Sequence, residues 1–428
     1  MRPSRHPWPR SSRGLVPLCL LTLLLLTACT ERADNEPIQV GVLHSLTGTM
    51  AFSERDVVDA TLLAIEQINA RGGVLGRPLK AVIRDGASDW TLFAELADDL
   101  IVKEQVEVVF GCWTSACRKT VLPIFEQHDH LLFYPVQYEG LESSPNIVYT
   151  GAAPNQQIIP AVKWAMDHLG SRFFLVGSDY VFPRSAHRIM SDQIVSLRGE
   201  VLGSEYVLLG STDVDEVVES IVASQPDVIL NTLNGDSNIA FFERLRAHGI
   251  GPDDIPTISF SIAEVELQAM GSETFVGDFA AWNYFQSLED EANQDFVRAF
   301  RTRFGDDRLI TDPMEAAYTG VQLWAAAAEL SAGTRPHAVR NALPGLSLVA
   351  PHGPVSIDPV SQHLWKTVRI GRIRSDGQFD IVWTTPKPVR PLPYPPYRSV
   401  PEWHRFLEEM QENWGGQWAN PGNGTASE

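Results

Sequence analysis

The sequence predicts an α/β protein made of two doubly wound lobes of mostly parallel sheet. Three observations carry that prediction. At 428 residues the chain exceeds one ordinary core and suits two lobes. From Ile38 onward, short apolar strands alternate with helix-period segments, the grammar of a parallel sheet covered on both faces. After Ala153-Pro154 a second series with the same grammar begins, without a residue-level repeat of the first.

In the first series, Ile38–Leu43 is an apolar strand bounded by Pro37 and the turn-rich His44-Ser-Leu-Thr-Gly48. Val57–Ala70 has apolar residues at helical spacing (Val58, Leu62, Ile65, Ile68) and stops at Arg71-Gly-Gly73, a helix-end signal. Strands at Leu79–Asp85, Val106–Gly111 and Leu131–Tyr134 follow, with helices at Leu92–Lys103 and Arg118–Gln127 between them. In the second series, strands are predicted at Phe173–Gly177, Val201–Leu208, Asp227–Asn231 and Ile255–Phe260. They alternate with helices at Pro183–Leu197, Val214–Ala223 and Ala240–His248. Two strong helices, Glu291–Phe304 and Asp312–Ala332, precede a strand-rich stretch over Gly353–Val382. From Thr384 the chain is Pro-rich and extended, a short amphipathic helix over Trp403–Trp414 follows, and Asn420–Glu428 reads as disordered.

A formal net charge of -19 argues against a nucleic-acid partner, because phosphate backbones need Lys and Arg clusters that this chain lacks. The N-terminus is a basic leader (Arg2, Arg5, Arg10, Arg13) followed by the apolar run Leu15–Leu26, which is signal-peptide grammar and short for a membrane-spanning helix. It ends in Leu26-Thr27-Ala28-Cys29, which resembles the lipobox of bacterial lipoproteins, where small residues precede the cut and the thiol accepts the lipid. The expectation is an exported chain: residues 1–28 removed, Cys29 lipidated and anchored to the membrane, and 29–37 a polar tether. With Cys19 leaving in the leader, Cys112 and Cys117 remain. Their compartment permits a disulfide, and two reduced thiols at a strand end are equally compatible with the spacing. No His or second Cys pair stands at metal-ligand spacing, and no cofactor fingerprint is present.

Ligands of open α/β sheets bind beyond the carboxyl ends of the strands. That rule selects His44–Gly48, Cys112–Ser115 and Tyr134–Tyr138 in the first lobe. In the second it selects Ser178–Tyr180, Thr232–Asp236 and Ser259–Ser261. These loops are rich in hydroxyls, amides and aromatic rings and poor in Lys and Arg, a lining for a neutral, flat, hydrogen-bonding solute. Gly-x-Ser-x-Gly and His-Glu-x-x-His are absent, so the chain does not read as an enzyme.

The segments Phe110–Lys119, Leu132–Gly140, Asn231–Asn238, Ala281–Phe285 and Asp312–Glu315 resemble, in order, the urea-transporter solute-binding proteins. Those have the periplasmic-binding type I fold and are related to short-chain amide-binding and branched-chain amino-acid-binding proteins. The resemblance runs from about Val40 to Pro393, and Cys117 departs from it where Ser is usual.

That resemblance implies a hinge of three crossovers, near Thr150–Ala153, Trp282–Tyr284 and Pro351–Pro354. Lobe one would be residues 38–151 plus 284–352 and lobe two 152–283 plus 353–385, with 386–428 a Pro-rich extension. It further implies that Trp113, Ser115, Tyr134, Val136, Gln137 and Tyr180, with Thr232 from the opposite lobe, contact urea or a short amide. Each has a plainer role open to it: Trp113 and Tyr134 as packing aromatics, Ser115 as a helix N-cap, Tyr180 and Thr232 facing another helix. Asp236 and Glu264 are the acids nearest the second-lobe loops. The implied function is capture by lobe closure and delivery to the permease of an ABC importer. A branched-chain amino-acid binder and an amide-sensing regulator of the same fold are the alternatives.

Overall fold

The computed structural model describes residues 36–422, together with Ser4. The leader, Cys29, most of the tether and residues 423–428 lie outside the described residues.

The first sheet holds β1 (Ile38–His44), β2 (Leu79–Asp85), β3 (Val109–Gly111), β4 (Leu132–Tyr134) and β5 (Ile147–Tyr149). All pair in parallel, in the order β2-β1-β3-β4-β5. Helices α1 (Ala51–Ala70), α2 (Trp90–Val102) and α3 (Ser115–Gln127) are the crossovers. Doubly apolar strands such as Leu132–Tyr134 are buried on both faces, as a parallel sheet covered by helices requires.

The second region runs α4 (Ile158–His168), β6 (Arg172–Ser178), α5 (Val181–Ser196), β7 (Glu200–Val207), α6 (Asp215–Ser224) and β8 (Val228–Thr232). It continues through α7 (Ser237–Ala247), β9 (Thr257–Ser259), α8 (Glu264–Met270) and β10 (Phe279–Trp282). The chain then returns to the first lobe as α9 (Glu291–Phe304), α10 (Asp312–Ser331) and α11 (Pro336–Ala342). A small antiparallel sheet follows, with β11 (Ser347–Ala350), β12 (Gly353–Ile357) and β13 (Leu364–Trp365). Finally β14 (Arg369–Ile373) and β15 (Phe379–Thr384) complete a second sheet ordered β15-β14-β10-β9-β8-β6-β7, and α12 (Val400–Asn413) ends the regular structure.

The α/β class and the two lobes are as the alternation predicts. Elements that the sequence pattern does not mark are β5, α4, α8, β10, α11 and β11, most of them short. The expected lobe boundary at residue 353 falls inside the small sheet. There Val355, Ile357 and Leu364 share a core with Ile38, Val40, Phe110 and Trp324 of the first lobe. The chain joins the second sheet only at Arg369, where β14 pairs with β10.

The crossings are laced together. Asn283 Nδ2 donates to the carbonyls of Gln156 and Thr367, both at 3.0 Å. Asp312 Oδ2 accepts from the Asn283 and Tyr284 amides, and Lys366 Nζ donates to Thr150 O at 2.9 Å. A few hydrogen-bonded strands can absorb a rotation without either core opening. At one crossing the backbone must be glycine: a Cβ on Gly151 would lie 2.1 Å from the Val136 carbonyl.

Candidate functional site

The first-lobe half of the site is set by the turn between β3 and α3. Cys112 adopts a left-handed backbone (φ 63°), which swings the chain from the strand end toward the interlobe space. A disulfide ties it to Cys117, one turn into α3, with Cα atoms 5.8 Å apart. Thr114, rather than Ser115, caps the helix: its side chain accepts from the Cys117 amide at 3.1 Å. The Ser115 hydroxyl is thereby released for other partners. It donates to Glu139 Oε2 and accepts from Arg118 Nη1 at 3.1 Å.

Beneath it lies a charged network that the loop composition does not announce. Arg118, fully buried, donates to Glu139 at 2.9 Å and to Glu142 at 2.8 Å, while Lys119 donates to Glu142 at 2.9 Å. The guanidinium also lies over the rings of Tyr134 and Tyr138, at 4.9 and 4.4 Å from their centroids. Burial alone would push the Glu142 carboxyl up, but Arg118 and Lys119 outweigh it and hold it well below the usual carboxylate range. Tyr149 adds a hydrogen bond to Glu142 at 2.8 Å. Burial drives the Tyr134 and Tyr138 phenols upward, so both stay neutral.

The fixed charge in the site departs from the uncharged wall that the sequence implies. The signal was present: Arg118 and Glu139 stand inside the very segments, Phe110–Lys119 and Leu132–Gly140, that carry the family resemblance.

Most of the anticipated residues do come together. Trp113 is 5% exposed, and its carbonyl accepts from the Tyr134 hydroxyl at 2.6 Å. Trp113, Tyr134 and Val136 belong to one apolar cluster with Tyr138 and Met50. Gln137 reaches across to the other lobe, donating from Nε2 to Phe260 O at 2.9 Å. Its Oε1 is buried and accepts nothing from the protein; the same holds for the hydroxyl oxygen of Ser261, next to that carbonyl. Tyr180, at the start of α5, is buried, which pushes its phenol well up, and it lies near the charges of Glu139 and Arg118.

Thr232 does not join them. Its hydroxyl donates to Val176 O at 3.2 Å and lies 2.9 Å from His187 Nε2, inside the second lobe. The reason is local packing: the Thr232 oxygen fills the space a Cβ on Gly177 would need, 2.4 Å away. Burial holds His187 down to about 3, so it is neutral. Asp236 is exposed, whereas Glu264 is fully buried with Oε1 accepting from the Gln286 amide at 2.7 Å.

The lobes meet around this site. Besides Gln137, Ser53 on α1 donates to Glu266 on α8 at 3.0 Å, and Thr49 lies against Gly210 and Gly235. Among the described residues no cluster of three or more His, Cys, Asp or Glu could hold a metal ion, and no helix is long and apolar enough to cross a membrane.

Residues 38–400 match the profile of the periplasmic binding protein domain. The Leu/Ile/Val-binding protein homolog 6 of Brucella melitensis is 24% identical over 375 residues, covering 85% of this chain and 94% of its own length. A solute binding protein of an ABC transporter from Rhodopseudomonas palustris HaA2, solved with p-hydroxybenzoic acid, is similar with a TM-score of 0.76. It is 24% identical and covers 82% of this chain and 98% of that one. The leucine binding protein LivK of Thermotoga maritima is similar with a TM-score of 0.72 and 18% identity, covering 81% and 98%. At such identities the structural likeness speaks for the fold, and the profile match over most of the chain speaks for descent. The chain belongs to the periplasmic binding protein family, with the two-lobed α/β fold of its type I members.

Proposed function

We propose that the chain is an exported solute-binding lipoprotein, anchored through Cys29, that captures urea or a short amide between its lobes and delivers it to an ABC importer. One observation carries the choice of ligand. The buried cations at the site, Arg118 and Lys119, are already matched by Glu139 and Glu142. A ligand carboxylate would find no free positive charge there, and bringing one in would leave an uncompensated buried anion. Leucine and p-hydroxybenzoic acid, the ligands named for two of the similar structures, both bear a carboxylate. The polar atoms without protein partners, Gln137 Oε1 and Ser261 Oγ, are acceptors suited to N–H donors. Urea supplies four such donors in a plane between the rings of Trp113, Tyr134 and Tyr180.

Capture works by population shift: contacts from both lobes exist only in the closed form, so the solute favours closure. The reading needs no covalent step. In this reading Ser261 takes the second-lobe role that the family resemblance implied for Thr232. The lobes divide at the three laced crossings, the last of them near Lys366–Arg369 and not near residue 353.

Calorimetry with urea, acetamide, formamide, leucine and p-hydroxybenzoate tests it. A four-heavy-atom solute is limited to about 6 kcal/mol, a dissociation constant on the order of tens of micromolar. Urea or an amide should bind in that range, with leucine and p-hydroxybenzoate silent. Leucine binding with urea silent would overturn the ligand class and leave the fold untouched.

A further inference from the structure

Residues 414–420 run back from α12 across the rim of the candidate site. The Val181 amide donates to Trp418 O at 3.0 Å, and Tyr180 forms an antiparallel bridge with Ala419. Asn420 closes the run, its amide on Asp179 O at 3.0 Å and its side chain on Asp179 Oδ2 at 2.6 Å. The loop so gripped is the one that presents Tyr180.

The preceding helix is fixed to the same lobe. Trp403, Leu407, Met410 and Trp414 pack into the core that contains Phe182, Ile189 and Met190. Arg398 grips both carboxylate oxygens of Asp192 on α5, at 2.6 and 2.8 Å. The strap therefore travels with the second lobe.

Trp418 reaches the first lobe. Lys119 Nζ, on α3, stands 5.0 Å from the centroid of the Trp418 ring. The same ammonium donates to Glu142, which is held also by Arg118, which in turn donates to Ser115. An indole on one lobe thus touches the outer member of the charge network that orients the Ser115 hydroxyl on the other.

We propose that Trp418 is a positioning residue for the ligand site, acting from a C-terminal strap through Lys119 and Glu142 and contributing to the closed state alone. This rests on the reading that a small neutral solute binds between the lobes. Opening must separate α3 from the α5 loop and so break the Lys119–Trp418 contact, whereas the strap's backbone bonds to Tyr180 and Val181 lie within one lobe and persist. A contact present only after closure slows release and leaves encounter unchanged.

The test uses the full chain with urea as probe, comparing Trp418→Leu, which keeps apolar bulk, with Trp418→Phe, which keeps a ring face. Stopped-flow release should be about tenfold faster for Trp418→Leu, with capture rates and the ligand-free melting temperature essentially unchanged. Trp418→Phe should restore most of the wild-type residence time, which a merely structural role for the bulk would not distinguish from leucine. Release at the wild-type rate in Trp418→Leu overturns the proposal. If wild-type protein binds no urea, the ligand reading has failed, and the strap is judged on the ligand-free scattering radius: a larger radius for Trp418→Leu supports it, an equal one sinks it. Should Trp418→Leu fail to fold, Asn420→Ala loosens the strap from its far end, and faster release or unchanged release decides in the same way.

Discussion

Two buried acids, one in each lobe, have opposite fates. Glu142 in the first lobe receives Arg118, Lys119 and Tyr149, and its carboxyl is held low. Glu264 in the second is equally enclosed, but Oε2 has no partner and the acids beside it are Glu266 and Asp312. Burial pushes Glu264 up to about 8. Burial alone selects the neutral form; a cation in contact reverses the choice. The first lobe therefore brings a fixed, compensated charge network to the cleft, and the second brings neutral groups and backbone carbonyls. A half with compensated charge and a half of neutral groups suit a site for an uncharged solute.

The largest expected effect comes from breaking the first-lobe network. Arg118→Met would leave Glu139 and Glu142 buried without their main cation, costing about 3–5 kcal/mol of unfolding free energy in denaturant titration. A loss below about 1 kcal/mol would mean that water reaches the network, and the contrast between the lobes would dissolve.

Next is the pH dependence of Glu264, whose sign is opposite to that of Glu142. Its contribution is fully present below about 4.5, where the carboxyl is neutral folded or unfolded, and is lost as pH rises through about 8, because the unfolded chain ionises first. Glu142 behaves in the other direction, its contribution being present at neutral pH and lost on acidification. Glu264→Gln should therefore melt higher than wild type at pH 9, by on the order of 1–3 kcal/mol after allowing for relaxation of the site, and equally at pH 4. Equal melting at both values would show that Glu264 has found a partner.

Ser115→Ala removes a hydroxyl that links Glu139 to Arg118, so it should weaken urea binding by about 1–2 kcal/mol and cost a similar amount of stability. Calorimetry and thermal melts separate the two. The smallest effect on binding belongs to Thr232→Val: affinity should change by less than about 0.3 kcal/mol, while the lost bonds to Val176 and His187 lower stability by about 1 kcal/mol. A collapse of affinity in Thr232→Val would return that residue to the cleft and break the picture of the second lobe.

Much was legible along the chain. Short apolar strands followed by helix-period segments specify an α/β fold locally, because side-chain direction within an element depends on backbone period alone. The rule that ligands sit beyond strand carboxyl ends then picked out the loops of Trp113, Tyr134, Gln137 and Tyr180, which the fold brings to the junction of the lobes. Tertiary structure decided what those loops contain. Whether Thr114 or Ser115 caps α3 turns on one rotamer. Whether Arg118 is solvated or buried depends on Glu139 and Glu142, more than twenty residues away. Thr232 faces His187 because Gly177, on a neighbouring strand, leaves room for it. The C-terminal segment reaches Tyr180 from about 240 positions downstream, a separation no local pattern encodes. Periodicity is a property of neighbours in sequence, whereas pairing of charges and orientation of hydroxyls are properties of neighbours in space.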